Sequence, residues 1–142
     1  MKDNREFCLG NFTVEPGKKK SGFLRIGGGE FQLPATILHG EQQGKTVLIT
    51  AGIHAEEYVG IQSALELSEM LKVQKIAGTV VIVKVVNRKA FELRSGSDSH
   101  EDGKNLNRVF PGNKEGTWSE RLAYAIEQII ILIFTAGTVM SN

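Results

Sequence analysis

Residues 46–60 read T-V-L-I-T-A-G-I-H-A-E-E-Y-V-G. Thr46 to Ala51 form a continuous apolar, β-branched run, which predicts a strand covered on both faces. The run passes directly into His54 and Glu57. Beyond them Ile61, Ala64, Leu65, Leu67, Ser68 and Leu71 recur at helical spacing, so residues 56–72 are predicted to form a helix with one apolar side. T-V-V-I-V-K-V-V at 79–86 predicts a second buried strand, followed by a polar, glycine-containing stretch from Asn87 to Gly116. S-E-R-L-A-Y-A-I-E-Q-I-I then predicts another helix, with Thr117 or Ser119 as its N-cap.

Strand, helix, strand, long loop and helix is the rhythm of an α/β domain with a mixed, largely parallel central sheet and flanking helices. Upstream, Gly22, Gly27 to Gly29, Gly40 and Gly44 separate F-L-R-I from F-Q-L-P-A-T-I-L-H. That punctuation predicts two or three short strands, a small antiparallel β region over about residues 1–40. Ligands of such sheets gather beyond the carboxyl ends of the strands. His54 and Glu57 follow one strand and Asn87 to Arg108 the next, so the two polar segments are expected to meet at one edge.

At 142 residues the chain fits a single domain able to bury roughly 68–70% of its unfolded surface. Its 17 basic and 16 acidic residues are interleaved, and the net charge of +1 offers no attraction to nucleic acid or an acidic membrane surface. Lys18-Lys19-Lys20 is read as a solvated turn. Cys8 is the only cysteine, which excludes an internal disulfide and fits a reducing compartment. M-K-D-N-R-E precedes no apolar stretch, and the greasy segment from Ile129 to Phe134 is far shorter than the ~20 residues that cross a bilayer. The expectation is a soluble, cytoplasmic protein with no nucleic-acid or membrane partner.

His54 and Glu57 at the first turn of a helix would share a face, with Cβ atoms about 5–6 Å apart, within reach of one cation. Zinc takes both ligand types, commonly three protein ligands with a fourth position open to water. On spacing alone the commoner outcome is a strand-end histidine beside a first-turn acid that suits the helix dipole. Downstream, Arg94 and the pair Asn107-Arg108 lie in a loop closed by Pro111-Gly112. A guanidinium fork with a neighbouring amide suits a carboxylate, and a further guanidinium over a carbonyl stabilises a developing oxyanion. Each of these residues alone is more often a surface charge.

Together, G-I-H-A-E-E-Y-V-G, N-R-K-A-F-E-L-R and D-G-K-N-L-N-R-V-F-P-G resemble the succinylglutamate desuccinylase and aspartoacylase family of the zinc carboxypeptidase superfamily. The resemblance covers roughly residues 17–128, with the motifs in the family's order. It implies that His54 and Glu57 are the first two zinc ligands, that Arg94 polarises the scissile carbonyl, and that Asn107 and Arg108 hold the substrate carboxylate. The implied activity is zinc-dependent hydrolysis of the amide of an N-acyl amino acid or a similar small carboxylate. The strands from Gly22 to His39 resemble the family's small amino-terminal sheet. His39 and His100 match no family ligand; the first is read as a strand-end residue and the second as a solvated loop residue.

The family pattern continues into a strand ending in a motif like D-[ILV]-H-G-G-D, whose histidine is the third zinc ligand, and later a glutamate serves as general base. Here the family core is expected over about residues 45–128, and the tail 129–142 departs from it, reading I-I-I-L-I-F-T-A-G-T-V-M-S-N after Gln128. With suitably chosen synonymous codons, the frame one base earlier translates from Leu132 onward as D-I-H-G-G-D-G-N-E-Q, placing the absent histidine under Phe134 and Thr135. The expectation is a C-terminally incomplete domain, frameshifted between about Glu127 and Leu132. Its nucleotide sequence tests this, because codons unable to encode D-I-H-G-G-D in another frame end the idea.

Such a chain is expected to bind zinc poorly, to hydrolyse little by itself, and to self-associate through an open sheet edge and the apolar tail. The tail's other outcome is a helix end packed on the core. Alternatives to an enzyme are a non-catalytic carboxylate-binding module built on Asn107 and Arg108, or an inert fragment.

Overall fold

The structure, a computed structural model, describes residues 5–140, with side chains described as far as Ile133. A short hairpin of β1 (Phe7–Leu9) and β2 (Phe12–Val14) precedes β3 (Lys18–Ile26), β4 (Phe31–His39) and β5 (Gln42–Thr50). Helix α1 (Tyr58–Met70) leads to β6 (Ala77–Val83), then α2 (Arg88–Leu93) and the long helix α3 (Trp118–Met140). The main sheet has the order β3-β4-β6-β5. Its β3–β4 and β4–β6 pairings are antiparallel and β5–β6 is parallel, so the sheet is mixed.

Strand β4 lies inside the sheet because it is apolar on both faces. Leu33, Ala35 and Ile37 join one buried cluster, and Leu38 joins another on the opposite side. Strand β6 divides likewise, with Val81 and Val83 on the first face and Ile82 on the second. Helix α3 covers the first face through Leu122, Ala123, Ala125, Ile126, Ile129 and Ile133. Helix α1 covers the second through Ala64, with Leu67 and Leu71 at its margin. Each fully buried Leu or Ile contributes about 1.5–3 kcal/mol, so the two clusters fix a three-layer arrangement of helix, sheet and helix.

Two features differ from the sequence-based expectation. First, β3 and β4 form no separate amino-terminal sheet. They make up half of the main sheet, because β4 needs an apolar neighbour on each face, and the separate sheet is the β1–β2 hairpin. Second, β5 is not covered as its composition suggests, because it is the edge strand of the sheet among the described residues and Val47 is 48% exposed. Leu48 still packs on the first cluster and Ile49 on the second.

Helix α3 carries straight on through residues 129–140. Ile129 and Ile133 are buried there, while Ile130, Ile131 and Leu132 face outward, which is the packed helix end rather than a loose tail. Side chains from Phe134 onward, where the absent histidine was expected, lie outside the described residues. Among the described residues no helix is long and apolar enough to cross a membrane.

Candidate metal and carboxylate site

The chain leaves β5 through Gly52, where a φ of +72° would strain any side chain and the close approach to Val85 leaves little room for one; an added Cβ would stand 3.1 Å from the Val85 Cα. This turn delivers His54 to the carboxyl end of the sheet. Glu57 occupies the N-cap position of α1, yet its side chain makes no capping bond. The carboxylate turns instead to His54, with Oε1 2.9 Å from Nδ1. A cavity of about 260 Å³ lies beside it, between the end of β5 and α1, lined by Thr50, Gly52, Glu57 and Ser63 among others.

The second polar segment arrives from the other strand, as its position after β6 predicts. Asn105 places Oδ1 2.9 Å from His54 Nε2. The backbone N–H of Asn107 donates to that same oxygen at 3.0 Å, which fixes which end of the amide is the acceptor. His54 Nε2 must therefore carry a proton and donate it to Asn105. In neutral His54 the Nδ1 lone pair then faces the Glu57 carboxylate, two electron-rich atoms 2.9 Å apart. Such a contact requires a shared cation. A proton can fill the role, and the hydrogen bond to Asn105, followed by that to Glu57, raises the His54 pKa above its ordinary value. A metal ion that takes ligands from Nδ1 and the carboxylate would replace that proton.

Zinc suits this donor set as a two-ligand contribution. Among the described residues no group of three His, Cys, Asp or Glu side chains gathers where it could hold a metal ion.

The Asn105 loop is tied to the start of α3. Asp102 Oδ2 accepts from the Ser119 backbone N–H at 2.8 Å, and Oδ1 accepts from the Ser119 hydroxyl at 2.8 Å and the Lys104 backbone N–H at 3.1 Å. Burial alone would raise the Asp102 pKa, but the bonds from Ser119, Thr117 and Lys104 outweigh it and hold the carboxyl below its usual value. Lys104 also pairs with Glu120 at 2.6 Å, and Glu120 accepts from the Thr117 hydroxyl at 3.0 Å. Thr117, the residue just before α3, is thus tied side chain to side chain to Glu120 in the helix's first turn.

Asn107 and Arg108 ride on the 3-10 turn Leu106–Arg108, anchored by the fully buried Leu106. Their side chains are exposed and make no hydrogen bond or ion pair among the described residues, so both can receive a ligand. Past the turn, Gly112 has φ +84°, and a Cβ there would fall 2.2 Å from Tyr124 N; the loop closes because this residue is glycine.

Arg94 ends α2 in the left-handed region at φ +54°, exposed and without a side-chain partner among the described residues. No bond joins it to His54 or Glu57, although a Cβ on nearby Gly96 would come within 3.5 Å of Glu56 Oε2, so its loop runs beside the His54 turn. His39 is buried and bonds Thr79 Oγ1 through Nδ1 and the Arg5 carbonyl through Nε2, a structural role. His100 is exposed.

The family model for the succinylglutamate desuccinylase/aspartoacylase catalytic domain matches residues 43–140, more than half of the chain. The chain belongs to the succinylglutamate desuccinylase/aspartoacylase family. Among relatives, N-alpha-acetyl-L-2,4-diaminobutyric acid deacetylase of Halomonas elongata is 34% identical over 103 residues, covering 72% of this chain and 30% of the relative. An aspartoacylase family protein from Mesorhizobium loti superposes with a TM-score of 0.72 at 33% identity, covering 84% of this chain and 38% of that one. The product-bound ectoine utilization protein EutE (DoeB) from Ruegeria pomeroyi gives 0.75 at 26% identity, covering 93% and 41%. The chain thus spans about a third of the length of the curated relative it matches.

Within the desuccinylase/aspartoacylase fold the structure brings His54, Glu57 and Asn105 into direct contact, with Asn107 and Arg108 on the adjoining turn. Asn105 had not been singled out from the sequence. Its signal was available in N-L-N-R, where an asparagine two residues before Asn107 can accept that residue's N–H in a local turn.

Proposed function

We propose that this chain carries part of a zinc-dependent deacylase site that acts on N-acyl amino acids or similar small carboxylates. The observation that carries the proposal is the 2.9 Å approach of His54 Nδ1 to Glu57 Oε1, with Nε2 committed as a donor to Asn105. In this proposal His54 and Glu57 hold zinc, which when bound supplies Lewis acidity and lowers the pKa of water. Asn107 and Arg108 accept the substrate carboxylate, and Arg94 donates to the carbonyl oxygen as negative charge develops there. The relatives named for deacetylation of an N-acetylated diamino acid and for aspartoacylase support the substrate class.

By itself the chain is expected to hydrolyse little, since its described residues offer two ligands where catalytic zinc commonly takes three. It is also expected to self-associate through the edge of β5, open among the described residues, where Val47 is exposed, and through Leu132 on α3. The lone Cys8 fits a cytoplasmic setting.

Zinc titration by calorimetry, paired with binding and hydrolysis of N-acetyl amino acids, tests the proposal. Zinc binding that disappears in His54→Ala supports it, and zinc binding unaffected by that change sinks it. The second possibility, a carboxylate-binding module, draws on the exposed side chains of Asn107 and Arg108, which have no partner among the described residues. Binding of an N-acyl amino acid in the presence of a chelator, with no turnover after zinc is restored, favours the module.

A further inference from the structure

We infer that Asn87 is a positioning residue that holds the site's three segments in register. It is 0% exposed, as unusual for an asparagine as for any amide, and each of its polar groups is used. The backbone N–H donates to Gly52 O at 2.8 Å, two residues before His54. The side-chain Oδ1 accepts from the Ala90 N–H at 3.4 Å and caps α2, the helix that ends at Arg94. The side-chain Nδ2 donates to Ser99 Oγ at 3.0 Å, and Ser99 is itself 2% exposed.

Ser99 belongs to the loop that bears Asn105. Its N–H donates to Lys104 O at 2.9 Å, and its carbonyl accepts from the Gly103 N–H at 2.8 Å. The bonds therefore close a circuit from Asn87 to Gly52 and His54, across to Asn105, back through residues 104–99, and home to Asn87. A buried polar group that is fully satisfied has one low-energy arrangement, because any slip leaves a donor or acceptor unpaired. Asn87 thereby converts the spacing of two loops into the His54–Asn105 bond. Its consequence for metal binding rests on the function proposed above, but the coupling itself does not.

The test uses the full chain without metal, reading the His54 ring by long-range proton–nitrogen NMR, with thermal unfolding followed by circular dichroism. Asn87→Ser keeps an oxygen that can cap Ala90 but cannot span to Ser99, and Ser99→Ala cuts the same link from the other side. At a pH where the His54 ring is neutral, both are expected to stay folded, lose the single Nε2–H tautomer, and show a second set of His54 signals. Asn87→Asp, which keeps the shape and can accept from the Ser99 hydroxyl, is expected to restore the single tautomer. In a parallel zinc titration the Ser and Ala variants are expected to bind about 10-fold more weakly. Unchanged His54 signals in both folded link variants overturn the inference. A wild type that binds no zinc, with the tautomer effect intact, overturns the proposed function while leaving this inference standing.

Discussion

His54 and Asn105 lie 51 residues apart in sequence and meet through a 2.9 Å hydrogen bond from Nε2 to Oδ1. Because Asn107 N–H donates to the same oxygen, that oxygen is an acceptor, so Nε2 of His54 carries the proton and the Nδ1 lone pair of the neutral ring faces Glu57. Asn105→Ala is expected to weaken zinc binding about 10- to 100-fold while the fold persists. Calorimetric titration alongside circular dichroism measures both. Equal affinity in the variant and the wild type would remove Asn105 from the site.

Glu57 is exposed and spends no bond on capping α1. Glu57→Gln is expected to lower zinc affinity at least about 10-fold and to change stability by less than about 0.5 kcal/mol, as for an exposed substitution. Denaturant melts of the metal-free protein check the second value. A large loss of stability would mean that the carboxylate serves the fold.

Arg108 stands on a turn whose anchor, Leu106, is fully buried, so its removal should leave the loop in place. Arg108→Ala is expected to reduce affinity for an N-acetyl amino acid about 10- to 100-fold, the range for losing a charge-assisted hydrogen bond. The corresponding amide, which lacks the carboxylate, should bind wild type and variant alike. Titration with both ligands separates carboxylate recognition from a general loosening.

Asp102 gives the fold a defined acid sensitivity. Its folded pKa lies below the unfolded value of 3.8, so its contribution is complete above that pH and lost as pH falls through the folded pKa. Stability should therefore decline below about pH 4, and Asp102→Asn should be less stable at neutral pH with a shallower acid decline. Urea unfolding across that range checks the slope. Parallel pH profiles for the two proteins would contradict the Ser119 and Lys104 bonds as the cause.

The outer edge of β5 is unpaired among the described residues and Val47 is 48% exposed on it. Val47→Lys is expected to shift the chain toward monomer without unfolding it, since a charge on an edge strand opposes further pairing. Sedimentation velocity at several concentrations reads the change. A wild type that remains monomeric throughout would end the proposal of self-association.

Much of this arrangement was legible in the residues alone. The apolar runs at 46–51 and 79–86 and the periodicity from Ile61 to Leu71 follow local rules, because a strand or an amphipathic helix declares its buried face by spacing. The family motifs placed His54 and Glu57 at the end of one strand and Asn107 and Arg108 after the next, where the fold puts them. Other features depended on neighbours that no local pattern encodes. The run T-V-L-I-T-A reads as a covered strand, yet β5 lies at the edge, because coverage depends on which strands pair beside it. Strands β3 and β4 read as a separate sheet until β4 is seen to bury Leu38 on one face and Ile37 on the other.

The sequence by itself determined the α/β character, through spacing, and the family, through the resemblance of its motifs, and it nominated the side chains proposed for the chemistry. Only the tertiary structure decided that Asn105 accepts a hydrogen bond from His54 Nε2, that Asn87 ties its loop to the His54 turn, and that Asp102 clamps that loop to α3. Those bonds join residues brought together by the sheet rather than by the chain. A hydrogen bond is satisfied by distance in space, and sequence separation carries no record of it.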